Sequence, residues 1–281
     1  MVGFFYGISF LETRTSKTIK EIAKNNNIYL EIDKTDLGFP PQLLLTKITV
    51  LLLTGQIPTP VSIDSLNIVP KILPFFTMSA VVGANSKLYE GSVDAEIDSS
   101  LIGNKVKLNA TATNITLHAH PILKTLGLRA VVNADINLVL DKTKPGLAAI
   151  NSGQFKFGLD GGQLETAFKI YSLFPIPKFT NASANFLITV ADQKVLLENF
   201  YFKSSLGSAT GQGRARILNE GKIGLVVADF DLDLTDDGAK QLNPYLALNT
   251  GLQADETKRK WKINLRQENS GPLHWPVISI E

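Results

Sequence analysis

The chain has 281 residues and no cysteine, which removes disulfides, thiol nucleophiles and cysteine-ligated metals. Histidine is nearly absent too. His118 and His120 form an H-x-H pair with only His274 left to complete a ligand set, and a metal site needs three or four ligands. No GxSxG, HExxH, CxxC or GK[ST] sequence occurs, so nucleophile elbows, zincin sites and phosphate loops are excluded, and the chain reads as non-enzymatic, without catalytic, cofactor or metal residues. Aromatics make up 8% of the residues; with helices and prolines interrupting the strands, that is too few for the girdles of an outer-membrane barrel. Net charge is +2, too balanced to indicate nucleic acid.

A hydrophobic run long enough to span a bilayer is also missing. Val2–Leu11 is apolar but about half of the ~20 residues a span requires. No basic region precedes it and no small-residue cleavage site follows, so it does not fit a complete signal peptide. It reads either as the tail of a truncated membrane anchor or as a hydrophobic first element of the fold. Arg14, Lys17 and Lys20 follow directly, residues that the positive-inside rule would prefer on the cytoplasmic side.

What is present is alternation. Residues 16–24 place Ile19, Ile22 and Ala23 on one helical stripe, with Ser16 as N-cap. From residue 28 the period is two. Val61 and Ile63 are followed by Leu66 and Ile68, a change of parity that predicts a bulge or bend near Ser65. Leu128 to Leu140 alternates for about 45 Å of extended chain, after a short helix opened by Pro121 at its first position. Strands are expected at residues 155–159 and 164–170, with a break at residues 174–177. Lys142–Gly153 is the best boundary between two halves of the body. Val226, Ala228, Phe230, Leu232 and Leu234 point one way, and Asp229, Asp231 and Asp233 the other. The three carboxylates lack the glycine and terminal glutamate of a calcium loop. They read as a solvated strand face. A helix beginning near Thr235 or Asp236 and restarting at Pro244 follows. Gly211-Gln212-Gly213 lacks a strand–loop–helix context and reads as a close backbone approach. Asn109-Ala110-Thr111, Asn114-Ile115-Thr116 and Asn181-Ala182-Ser183 match the glycosylation pattern.

These features predict a mainly β protein: a long antiparallel sheet, curled or folded over like a taco, with an N-terminal helix and a few short helices. Residues 1–27 form the apolar segment and helix, and residues 28–281 the β-rich body. Long amphipathic strands must bury their dry faces or pack on something apolar. Val132, Ile136, Leu138, Val226, Phe230, Leu232 and Leu234 are the candidates to line that groove or core.

Ser204–Leu248, with its small-residue strand, polar-alternating strand and the helix DDGAKQLNPYLAL, resembles the C-terminal part of the type II secretion protein N family, which is similar in kind to AsmA-like envelope proteins. The entry IAKNNNIYLEIDKTDLGFPPQLLLTKITV, the hairpin SKLYEGSVDAEID and the segment HPILKTLGLRAVVNADINLVL are similar to that family as well. The resemblance implies a periplasmic body attached through its N-terminus to the inner membrane of a Gram-negative-type cell. It carries over no catalytic residue or cofactor. Two roles follow from it: an accessory or assembly component of a type II secretion system, contacting its other subunits, or a lipid-binding or lipid-transfer protein shielding phospholipid acyl chains in an apolar groove.

Overall fold

The computed structural model describes residues 13–21, 23–24, 28–38, 41–52, 60–71, 78–144, 146–170, 174–218, 223–250, 257–267 and 277–280. Val2–Leu11 and His274 lie outside them. The chain opens with α1, helical at residues 13–21 and 23–24. Ser16 is therefore inside the helix rather than its cap.

The body is one sheet of fourteen strands in which each strand pairs antiparallel with the sheet strand before it in the chain, Ile150–Leu164 joining Phe179–Ala191 across two short strands that lie outside the sheet. Its strands are β1 (Ile28–Gly38), β2 (Gln42–Leu52), β3 (Pro60–Lys71), β4 (Ser79–Leu88), β5 (Gly91–Ser100), β6 (Lys105–Thr116), β7 (Leu128–Asp141) and β8 (Ile150–Leu164). It continues through β11 (Phe179–Ala191), β12 (Lys194–Ser204), β13 (Gly207–Ile217), β14 (Ile223–Leu234), β15 (Lys260–Gln267) and β16 (Val277–Ile280). Two short strands, β9 (Phe168–Ile170) and β10 (Phe174–Ile176), pair only with each other. The helix α2 (Pro121–Thr125) carries Pro121 at its first turn, as its sequence predicts, and α3 (Asp236–Thr250) links β14 to β15. The mainly β architecture expected from the alternation is met. The sheet does not close, and β1 and β16 are its edges.

Residues 142–153 hold a turn, a short 3-10 segment and the first residues of β8, and the β7–β8 pairing runs on past them. Strand pairing corrects two boundaries. Residues 155–159 and the start of 164–170 belong to one strand, because Gly161 (φ +63°) absorbs the apparent break as a bulge. Phe174–Ile176 pairs with Phe168–Ile170 rather than interrupting the strands.

The parity change near Ser65 is a bend without a bulge. β2 pairs with β3 and β1 with β2 in unbroken register across it. Each strand carries one extra residue at the same level: the dry face passes from Thr35 to Ile32, from Leu45 to Ile48 and from Leu66 to Ile63. Lys47 takes up the crease with φ +49°. Leu45 and Ile48, on either side of it, are each 2% exposed. Both therefore lie on the same face.

True bulges occur at Asn114, Asn181 and Asn199, each in left-handed backbone (φ +52° to +56°) beside a shift in register. Asparagine tolerates that region far better than branched residues do. A bulge bends its strand and raises local twist. The backbone N–H of Asn114 donates to Asn133 Oδ1 at 2.9 Å, so one polar group freed by that bulge is satisfied.

α3 is one helix that runs through Pro244 instead of restarting there. Thr235 caps it: its Oγ1 accepts from the Gly238 N–H at 3.1 Å. The helix packs on the end of the dry face, where Leu234, Ala239 and Trp261 are buried, with Leu232, Leu242 and Leu246 against them. Asn243, fully buried, ties helix to strand. Its Nδ2 donates to the Lys258 carbonyl at 2.7 Å and its Oδ1 accepts from Trp261 Nε1 at 3.0 Å.

Candidate apolar groove

Cross-strand register shows how far the dry face extends, because directly opposed residues share a face. One row begins Leu37, Leu43, Ile68, Ala84, Ala95, Ala110, Ile136. It continues Phe155, Ile188, Leu197, Gly213, Ala228, Leu265, Ile278. All fourteen strands are in register along it, and from β1 to β15 no polar side chain interrupts. At about 4.8 Å per strand the row is roughly 60 Å long.

The candidates named from sequence fall on this face and on its neighbouring rows. Leu138 and Val226 belong to one row, joined through Gly153, Val190, Val195 and Ala215. Val132 and Leu232 belong to another, through Leu159, Ala184, Phe202 and Ala209. Ile136 sits in the fourteen-strand row. Two stretches nearly a hundred residues apart thus form a single surface. Leu234 departs from the pattern: at 3% exposure it is sealed under α3.

The other six candidates, Val132, Ile136, Leu138, Val226, Phe230 and Leu232, are half-buried. So are Leu37, Leu43, Ile68, Phe155, Ile188, Leu197 and Leu265. A sandwich or filled barrel would seal these side chains between two layers. Among the described residues fourteen hydrophobics are fully buried, and six of those are alanine. The dry face is therefore an accessible apolar surface, closed over at its α3 end.

Aromatic residues that the sequence reading did not single out line its middle. Phe155, Phe157 and Phe186 form a cluster with ring centroids 4.9–6.5 Å apart. Phe200 on β12 and Phe230 on β14 meet edge to face at 5.3 Å, across the intervening strand. Gly211 lies between them in register, and a Cβ there would overlap the Phe230 ring. The glycine is thus the close approach its sequence predicts. The period-two parity of Phe155 and Phe157, and of Phe200 and Phe202, was the available signal for these rings.

The opposite face is wet. Asp229, Asp231 and Asp233 are exposed, and the last two oppose Lys262 and Lys260 in register. Among the described residues no group of three or more His, Asp or Glu side chains could hold a metal. Further rungs on this face are the Thr111 hydroxyl donating to Asp135 at 3.1 Å and the contacts Lys71–Glu96 and Asn85–Asp94. His118 is exposed, whereas His120 is buried with its ring edge-on to Tyr89 at 5.5 Å. At the sheet margins, the Asp141 carboxylate accepts from the Thr143 hydroxyl and N–H at 2.6 and 2.9 Å, which lowers its pKa below the ordinary value. Tyr29 donates to Glu31 at 2.8 Å, and that carboxylate holds its hydroxyl pKa above the ordinary value.

Among the described residues no helix is long and apolar enough to cross a membrane. No protein-family model, curated protein or solved structure matches this chain.

Proposed function

We propose that this protein binds lipid acyl chains along the apolar face of its open sheet, in the AsmA-like lipid-binding or lipid-transfer role that its sequence resembles. The observation that carries this reading is the unbroken apolar row from β1 to β15, half-buried except at Ala228 and lying on one side of an unclosed sheet. A palmitoyl chain laid on such a face buries about half its surface. At ~0.8 kcal/mol per fully buried methylene this contributes about 6 kcal/mol, equivalent to a dissociation constant of tens of micromolar before ordering costs. Binding of that strength holds a chain and still releases it, as transfer requires. The row carries no hydrogen-bonding side chain, so the face selects for chain rather than headgroup. The role needs no cofactor, catalytic residue or nucleic acid. Its setting is the periplasm of a Gram-negative-type cell, with the N-terminus at the inner membrane.

A second reading, an accessory component of a type II secretion system, draws support from the edge strands β1 and β16, the positions in the sheet where another subunit adds a strand. Full-length protein purified from membranes and examined by native mass spectrometry separates the two. Co-purified phospholipid is expected. Its absence, with secretion subunits retained, would favour the second reading. A photocrosslinking residue at Phe155 should capture lipid, and one at Asp135 on the wet face should not; equal capture at both would remove the groove from the argument. Protease added to spheroplasts should digest the body, and full protection would overturn the periplasmic setting.

A further inference from the structure

The chain's net charge is not spread evenly. Residues 13–24 hold Arg14, Lys17, Lys20 and Lys24 against Glu21, a balance of +3 (four minus one), whereas the whole chain is +2. The other residues therefore sum to −1. α1 arranges this charge on one side: Lys17, Lys20 and Lys24 recur at three- and four-residue spacing and line one face. That face also carries Glu21, leaving it a net +2 (three minus one), and it borders a cavity of about 620 Å³ completed by Asp33, Lys34 and Thr35 of the first strand. Lys17, Lys20 and Lys24 are exposed, and among the described residues none is paired with a carboxylate. In sequence the helix directly follows the apolar stretch Val2–Leu11.

From this geometry we infer that α1 docks on the anionic headgroups of a phospholipid bilayer, with Lys17, Lys20 and Lys24 as its contacts. The bilayer is the occupant that matches both neighbouring features, apolar residues on one side in sequence and unpaired ammonium groups on the other. A basic helix face next to an apolar segment is the arrangement that binds at a membrane interface. β1 is the edge strand of the apolar face, so docking through α1 sets that end of the face at the membrane. The inference deepens the lipid-binding reading by assigning the partner at this end, and it stands or falls on charge alone.

The test is co-sedimentation of the full chain with vesicles of pure phosphatidylcholine and with vesicles containing phosphatidylglycerol. Tighter binding to the anionic vesicles is expected, weakening at high salt. The triple variant Lys17→Gln, Lys20→Gln, Lys24→Gln should bind anionic vesicles about 150-fold more weakly, taking ~1 kcal/mol per lysine near a charged surface. The substituted side chains are exposed, so an unchanged thermal melt should accompany the loss. Equal binding of the native chain to both vesicle types, or a triple variant that binds as the native chain does, would overturn the inference. Capture of a fluorescent fatty acid without vesicles reads the groove separately. The triple variant should retain it, and loss of fatty-acid capture in the native chain would count against the groove and leave the docking result intact.

Discussion

Asn243 is a fully buried polar side chain that fastens α3 over the end of the apolar face, and replacing it with leucine isolates its contribution. Leucine approximates its volume, so the packing change is small. Two polar groups lose their partner: the buried Trp261 indole N–H and the part-buried Lys258 carbonyl. Leaving a buried donor or acceptor unsatisfied costs about 1–3 kcal/mol, with the part-buried carbonyl at the low end, so Asn243→Leu should destabilise by about 3 kcal/mol. Against a whole-protein stability of about 5–15 kcal/mol, that loss is easily measured. Asn243→Ala should cost at least as much, because a cavity is added. Urea unfolding followed by Trp261 fluorescence, in a Trp275→Phe background, reads the change directly. Release of the helix would also uncover Leu232, Leu234 and Ala239, so binding of a hydrophobic dye should rise. An Asn243→Leu protein within ~1 kcal/mol of the parent would mean that the helix is held by apolar contact alone, and the hydrogen-bond argument would fail.

Three further outcomes follow from local geometry. Ser86 is 7% exposed in the dry face and its hydroxyl has no partner among the described residues, so Ser86→Ala should stabilise by about 1 kcal/mol in the same unfolding assay; a clear loss of stability would reveal a bond to the hydroxyl. Gly211→Val drives a methyl into the Phe230 ring and should cost about 1–3 kcal/mol, whereas Gly158→Val, whose Cβ would meet only a backbone oxygen at 3.9 Å, should be neutral or slightly stabilising. Thr143→Val removes the hydroxyl bond that lowers the Asp141 pKa. A carboxylate with a depressed folded-state pKa contributes stability that is present above its unfolded pKa and lost as pH falls through the folded one. The variant should therefore titrate nearer the ordinary 3.8 by carboxyl NMR and lose less stability on acidification below that value; an unmoved titration would exclude the threonine as the cause.

The fold class was legible because each strand states its two faces in its own residues. Val226 to Leu234 needs no partner to declare which side is dry. The continuity of that dry side across strands was not legible, since it depends on register. Register in turn depends on where single extra residues sit. Ile136 and Ala228 share a row only after the register shifts between Ile150 and Ser152 and at Asn199 are allowed for. The bulge asparagines carried a different local meaning in the sequence: Asn114 and Asn181 begin glycosylation-like triplets, while their backbone role shows only in a positive φ. The helix through Pro244 was misread for a related reason. Local propensity favours a restart at proline, but packing of Leu242, Asn243 and Leu246 against β14 and β15 holds the segment as one helix.

The bulges also make a prediction that separates them from ordinary strand positions. In β12 the dry side runs Val195, Leu197, then Phe200 and Phe202, and the change of parity falls at Asn199. Removing Asn199 restores strict alternation with all four apolar side chains still on one face. Its deletion therefore costs the bend and one unpaired residue, not the face. Removing Thr210 from β13 is different. It leaves Gly207 and Ala209 out of phase with Gly213 and Ala215 and forces one half of the strand to present its polar side to the apolar surface. The Asn199 deletion should yield folded protein with cooperative urea unfolding and reduced acyl-chain capture, because the curvature of the face has changed. The Thr210 deletion should yield aggregate. Equal tolerance of both would show that register in this sheet is not held by its apolar face, and the fourteen-strand row would then be a consequence of pairing rather than its cause.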